Sequence, residues 1–311
     1  SHYTGSSTSD HAPAYLAARY SDDGGRSWTD KDEVVVENEG EMNVMSVSLL
    51  RLQNGDIAFF YLRKNSTEDC IPMLRISKDE AKSWSDPVPC ITDRQGYFVL
   101  NNARVIQLQD GRLLMPVALH QTPGGQWANK ADLYCYFSDD NGQTWQSSSQ
   151  VPDSTDIVTQ EPGLIEMNDG SVMMYIRTNG GFQLLSYSSD GGQTWSHVEP
   201  SNIPSPLSPA TIEKVPATGD WLLVWNNNDG SSPEIKDKRT PLTMAISRDE
   251  GKTWEKIKNV HDDPDGWYCY IAILFVGDDA LLGYCAGSQS RNTHLSVTNI
   301  TLLSKELIYG E

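Results

Sequence analysis

The string SDDGGRSW at Ser21–Trp28 constrains this chain most, because four near-copies follow it: SKDEAKSW at Ser77–Trp84, SDDNGQTW at Ser138–Trp145, SSDGGQTW at Ser188–Trp195 and SRDEGKTW at Ser247–Trp254. Each reads Ser-x-Asp-x-Gly-x-Thr/Ser-Trp, with Ala81 standing once where glycine is expected. The tryptophans recur every 50–60 residues or so, a period that marks a repeat architecture.

Between the boxes lies a second repeated pattern. The runs SLLRLQNGDIAFFYLR, ARVIQLQDGRLLMPVA, GLIEMNDGSVMMYIRT, TIEKVPATGDWLLVW and IAILFVGDDALLGYC each place two apolar segments around Asn-Gly, Asp-Gly or a close relative. Such dipeptides suit the positive-φ positions of tight hairpins. A shorter apolar segment follows (MLRIS, LYCYFS, LLSYS or TMAIS) and ends on the box serine. The box is therefore expected to be a turn between the third and fourth strands, with Asp and Ser/Thr bonding turn backbone and Trp packing between units.

Four strands per unit with glycine and aromatic punctuation is the pattern of a β-propeller. Five hairpins, plus a first box preceded by AYLAARYS alone, count six blades with the first inner hairpin missing. The expected fold is all-β: one propeller domain over residues 1–311, N-terminally truncated or processed inside its first blade.

Composition narrows the partners. Lys and Arg total 24 against 42 Asp and Glu, a formal charge of −18. Such a field repels nucleic acid and anionic membranes, so an anionic ligand would need a local cluster of arginines. The five cysteines are scattered, odd in number and lack CxxC spacing, which argues against a disulfide framework or a zinc site. The six histidines show no metal spacing, and counting twelve positions from Asp139 or Asp140 of SDDNGQTW reaches Gln150 or Val151 rather than the glutamate of a calcium loop. No metal and no cofactor are expected. No apolar stretch is long enough to span a bilayer.

In a propeller the inner strands ring a central funnel. Nine residues before the hairpin glycines Gly55, Gly111 and Gly170 stand Ser46, Asn102 and Glu161. In the last unit the same register falls on Tyr270, with Tyr268 two residues earlier as its rival. A carboxylate and a phenol are thus expected to project into one funnel.

Boxes of this kind on a six-bladed propeller resemble the sialidase (neuraminidase) superfamily, over essentially the whole chain. The segment QEPGLIEMNDGSVMMYIRT is similar to that family's glutamate, Asp-Gly hairpin and arginine. The resemblance implies a retaining exo-glycosidase acting on a terminal α-keto acid sugar of a sialylated glycan. The carboxylate on that sugar's anomeric carbon disfavours an anionic nucleophile, so a tyrosine is used in place of the second carboxylate. By the resemblance Tyr270 is the nucleophile and Glu161 its base. Arg177 and Arg239 belong to the carboxylate-binding triad, and Asp10, eleven residues before Ser21, is the acid/base. The family's first triad arginine would lie on the absent hairpin. Arg63 ends its hairpin much as Arg177 does and is a candidate substitute; Asn102 is a further lining candidate. Altered glycoside specificity, transfer to a glycan acceptor, and a non-catalytic carbohydrate-binding propeller stay open. A monomer in a secreted or periplasmic location is expected.

Overall fold

A computed structural model of the chain describes residues 1–5 and 9–310. The fold is all-β, with one helix among the described residues, Lys305–Tyr309, capped by Ser304 and by left-handed Gly310. Among the described residues five sheets follow one another in chain order. The first pairs His2–Tyr3, Ala14–Ala18 and Glu33–Val36. Two four-stranded antiparallel meanders run Thr159–Glu166 to Glu199–Pro204 and Thr211–Lys214 to Glu255–His261. The last sheet pairs Gly266–Val276, Asp279–Ser288 and Thr298–Leu303.

The second sheet has nine strands because two hairpin units have merged. Asn43–Arg51, Ile57–Ser66 and Asp69–Ser77 form one unit, and Leu113–Gln121 with Asp132–Ser138 form the heart of the next. A parallel bridge between Cys70 and Tyr97 joins them. The inner strand of the second unit is broken into Tyr97–Val99 and Ile106–Gln107, leaving residues 100–105 free of the ladder.

The cores lie between consecutive units rather than at one centre. Leu16 and Val36 pack on Val44, Phe59 and Tyr61; Phe60 and Leu74 on Phe98 and Met115; Leu114 and Cys135 on Leu164 and Met174. Ile165 and Tyr175 meet Ile212 and Leu223, and Leu222 and Met244 meet Ile271 and Leu282. A strand covered on both faces cannot alternate apolar with polar, so Val172–Thr178 and Trp221–Asn226 are buried throughout. The box of the first unit also meets the last: a Cβ on Gly25 would lie 2.7 Å from Leu281.

Each box is a side-chain-braced turn. In the third copy Ser138 Oγ donates to Asp140 at 2.8 Å and accepts the Gly142 amide, while Asp140 takes the amide and hydroxyl of Thr144 at 2.9 and 2.6 Å. The same bonds form around Asp79, although Ala81 must there adopt the glycine's left-handed φ of +62°. Four boxes start directly on a strand-ending serine. The first does not, since its strand stops at Ala18, three residues short of Ser21.

Candidate active site

The inner ladders slip where the expected site residues stand. Pairing shifts between Met45 and Ser48, Gln160 and Gly163, and Cys269 and Ala272. In each gap one non-glycine residue is left-handed: Ser46 (φ +57°), Glu161 (+44°) and Tyr270 (+57°). Such bulges insert an extra residue and re-aim its side chain. In the unit with the broken inner strand the left-handed residue is Ala103 (φ +52°).

The bulge also separates Tyr270 from its rival. Regular alternation would put Tyr268 and Tyr270 on the same face. Instead Tyr268 is buried and stacked on His261, with ring centres 5.0 Å apart, whereas the Tyr270 ring lies 5.4 Å from the Arg239 guanidinium.

Glu161 is held from two sides. Its Oε1 lies 2.5 Å from Arg177 Nη1, and its Oε2 accepts from Asn101 Nδ2 at 3.2 Å. The Glu161 and Arg177 side chains are only 12% and 9% exposed. Burial pushes the carboxyl's pKa up, but the charges of Arg177 and Arg239 outweigh it and hold the group below its ordinary value. For Tyr270 burial and then the Glu161 charge raise the phenol's pKa, with Arg239 and Arg177 opposing. The free site therefore pairs an ionised carboxylate with a neutral phenol. Arg239 lies against both the Tyr270 ring and the Trp267 ring, whose centre is 5.2 Å away.

Two further residues of this cluster escaped the sequence reading. Asn101, rather than Asn102, contacts Glu161; its Oδ1 also accepts the Asn102 amide at 2.7 Å. Arg104 is buried, donates to Tyr175 Oη at 3.1 Å and the Ala210 carbonyl at 2.7 Å, and adds its charge to those acting on Glu161. Gly163 permits this: any Cβ there would lie 2.3 Å from the Tyr175 ring. Nearby, burial lifts the Glu213 carboxyl to about 7 against the opposing Arg104 charge. The short spacing of Arg104 from Asn102 in NNARV was the available signal.

Asp10 occupies a separate corner, 58% exposed, with Lys64 Nζ 3.4 Å and His11 Nε2 3.6 Å from its carboxylate. A wall of rings extends from it: His11 meets Tyr97 edge-on, Tyr97 meets Trp127 at 5.1 Å, and Trp127 stacks on His120 at 4.6 Å. At the far end of this wall, burial lowers the His120 pKa, with the Glu161 charge opposing it. Arg63 is half-buried with its Nε unpartnered, and no contact ties it to Glu161 or Tyr270.

Residues 2–293 match the BNR repeat-like domain family. The chain belongs to that family, within the sialidase superfamily. Among curated BNR-repeat relatives, a sialidase of Bacteroides fragilis is 28% identical over 58% of this chain and 33% of its own length. The anhydrosialidase of Macrobdella decora is 30% identical over 76% of this chain and 33% of its own. A sialidase of Paraclostridium sordellii is 27% identical over 61% of this chain and 52% of its own. The chain thus spans between a third and a half of these relatives.

Solved structures superpose over most of the chain. A leech intramolecular trans-sialidase gives a TM-score of 0.73 at 15% identity, covering 95% of this chain and 64% of that one. A Dyadobacter fermentans protein of unknown function gives 0.71 at 20%, covering 92% and 83%. At these identities the likeness is one of fold.

Proposed function

We propose that this BNR-repeat chain is a single six-bladed propeller and the catalytic part of a retaining, sialidase-type glycosidase. Stacked cores between successive units, and the contact of the first box with Leu281, support the ring. The observation that carries the activity is the pairing of Glu161 with Arg177 and of Tyr270 with Arg239, each acting on the others' charge state.

In this reading the sugar carboxylate takes the guanidinium groups of Arg177 and Arg239, whose planar forks match it. Tyr270 Oη attacks the anomeric carbon as Glu161 removes the phenol proton. The glycosidic C–O bond breaks, and Asp10 protonates the departing oxygen. Water then attacks the same carbon, giving its proton to Asp10, while the Tyr270 oxygen leaves and recovers its proton from Glu161. Oxygen from Tyr270 approaches a carboxylate-bearing carbon uncharged until the proton moves, which avoids the repulsion a carboxylate nucleophile would meet.

The test is turnover of a fluorogenic α-sialoside by the full-length protein, with a fluorinated sialosyl fluoride added to trap the intermediate. Turnover, with a sialosyl adduct mapped to Tyr270, supports the reading. An active enzyme preferring carboxylate-free glycosides would redirect it to another sugar. Ligand binding with no turnover on any glycoside would replace it with a carbohydrate-binding propeller.

A further inference from the structure

The strongest unassigned feature is a fully buried lysine beneath the proposed acid/base. Lys64 has a side-chain exposure of 0%, yet it reaches an aspartate that is 58% exposed. Its Nζ donates to the Asp10 carbonyl at 3.0 Å and the Asp10 carboxylate at 3.4 Å, lies 3.5 Å from His11 Nδ1, and sits 5.3 Å from the Tyr97 ring centre. Directly across the ladder stands Asn43, also fully buried. Its amide donates to the Asp10 carbonyl at 2.7 Å and the Ala12 carbonyl at 2.9 Å.

We infer that Lys64, with Asn43, is a positioning residue for the acid/base step, locking Asp10 onto the second sheet so that its carboxyl is held in one place. The inference rests on the reading of Asp10 as general acid. A buried ammonium must find acceptors or it destabilises the fold, so its bonds are held firmly. Among the described residues the Asp10 carboxylate is its ion-pair partner, and two donors converge on the Asp10 carbonyl. The loop is thereby fixed at both its backbone and its charge, a placement that a proton donor to a departing oxygen requires to well within an ångström.

A merely structural lysine would affect all substrates alike. A lysine that places the general acid matters most where the leaving group needs a proton. Sugar leaving groups need one, whereas nitrophenolate departs without help. The experiment measures kcat and KM of the full-length protein and its K64M and N43S variants on sialyllactose and on a nitrophenyl α-sialoside. Thermal melting verifies that each variant is folded, and N43S keeps the question open to measurement should K64M fail to fold.

The expected result is a fall in kcat of about 100-fold on sialyllactose, of the size general acid catalysis commonly supplies, against less than about 3-fold on the nitrophenyl substrate, with KM little changed. Equal losses on both substrates in folded variants, or no loss on either, overturn the inference while leaving the glycosidase reading intact. A wild type inactive on both substrates overturns that reading and the inference with it.

Discussion

Glu161 and Tyr270 occupy the same place in two different hairpins: each is the left-handed residue, at φ +44° and +57°, where an inner ladder slips its register. Left-handed backbone costs a non-glycine residue roughly 1–2 kcal/mol. Here the slip turns both side chains onto the same group of arginines, so the strain is tied to the site's geometry.

Breaking the Glu161–Arg177 pair should destabilise the fold. Glu161→Ala leaves a buried guanidinium without its partner, a change worth about 3–5 kcal/mol in comparable pairs. Denaturant unfolding of E161A and of the milder E161Q should show that loss and a smaller one. Turnover should fall by a factor on the order of 100 to 10,000 in both.

The acid limb of activity should lie low. The folded-state pKa of Glu161 is depressed by Arg177 and Arg239 despite burial. Its contribution to stability is therefore complete above the unfolded value, about 4.3, and is lost as pH falls through the lower folded value. In kcat/KM against pH, the Glu161 limb should appear below about pH 4.3, and unfolding free energies should steepen there in wild type but not in E161Q. A Glu161-dependent limb above this range would contradict the assignment.

The two tyrosines should separate cleanly. Tyr270→Phe removes the proposed nucleophile and should lower turnover by at least about 1,000-fold while leaving sialoside binding in place. Tyr268→Phe keeps the ring stacked on His261 and should stay within a few-fold of wild type. Loss of turnover in Y268F instead would exchange the two roles.

Arg239→Lys should raise KM for a carboxylated substrate roughly 10- to 100-fold, since lysine cannot make the bidentate grip. Its effect on the methyl ester of the same substrate should be small. Similar losses on acid and ester would show that Arg239 serves the Tyr270 ring rather than the ligand.

One pair of substitutions tests the boxes. Ala81→Gly relieves φ +62° and should stabilise the protein by about 0.5 kcal/mol, the left-handed strain being partly offset by the entropy of the added glycine. Gly142→Ala should do the reverse and cost roughly 2 kcal/mol or more, because φ is +86° and the new Cβ would lie 2.3 Å from Leu74. Equilibrium unfolding of both variants measures the contrast.

What the sequence made legible follows from what repeats. Boxes, hairpins and the nine-residue count are local; three hairpins share one turn length, which led to Glu161, whereas the last has a shorter turn, so its register reached Tyr270 only with Tyr268 as a rival. Asn101 was missed by one position because its inner strand breaks at residues 100–105, where counting loses its meaning. Arg104 and Lys64 were missed for another reason: both are buried cations whose partners lie more than 50 positions away in sequence, so no short motif reports them. Arg63 was singled out by analogy of place with Arg177, but Arg177 pairs with Gln160 directly beside the Glu161 bulge, whereas beside the Ser46 bulge that place is held by Leu62, and Arg63 pairs one residue further out with Val44.

The parallel bridge between Cys70 and Tyr97 has a further consequence. Elsewhere neighbouring units are joined by side-chain packing and isolated backbone bonds, such as Ala131 to Thr159 and Tyr268 to Arg239, and not within one sheet. Across this bridge the backbone of two units is continuous, so they should open and close as one cooperative block. That block carries Lys64, Asn43, Tyr97, Asn101 and Arg104, the supports beneath both Asp10 and Glu161. Asp10 and Asn101, which bonds Glu161, are thus mounted on a single frame, and thermal breathing of the outer units has little leverage on the distance between these two.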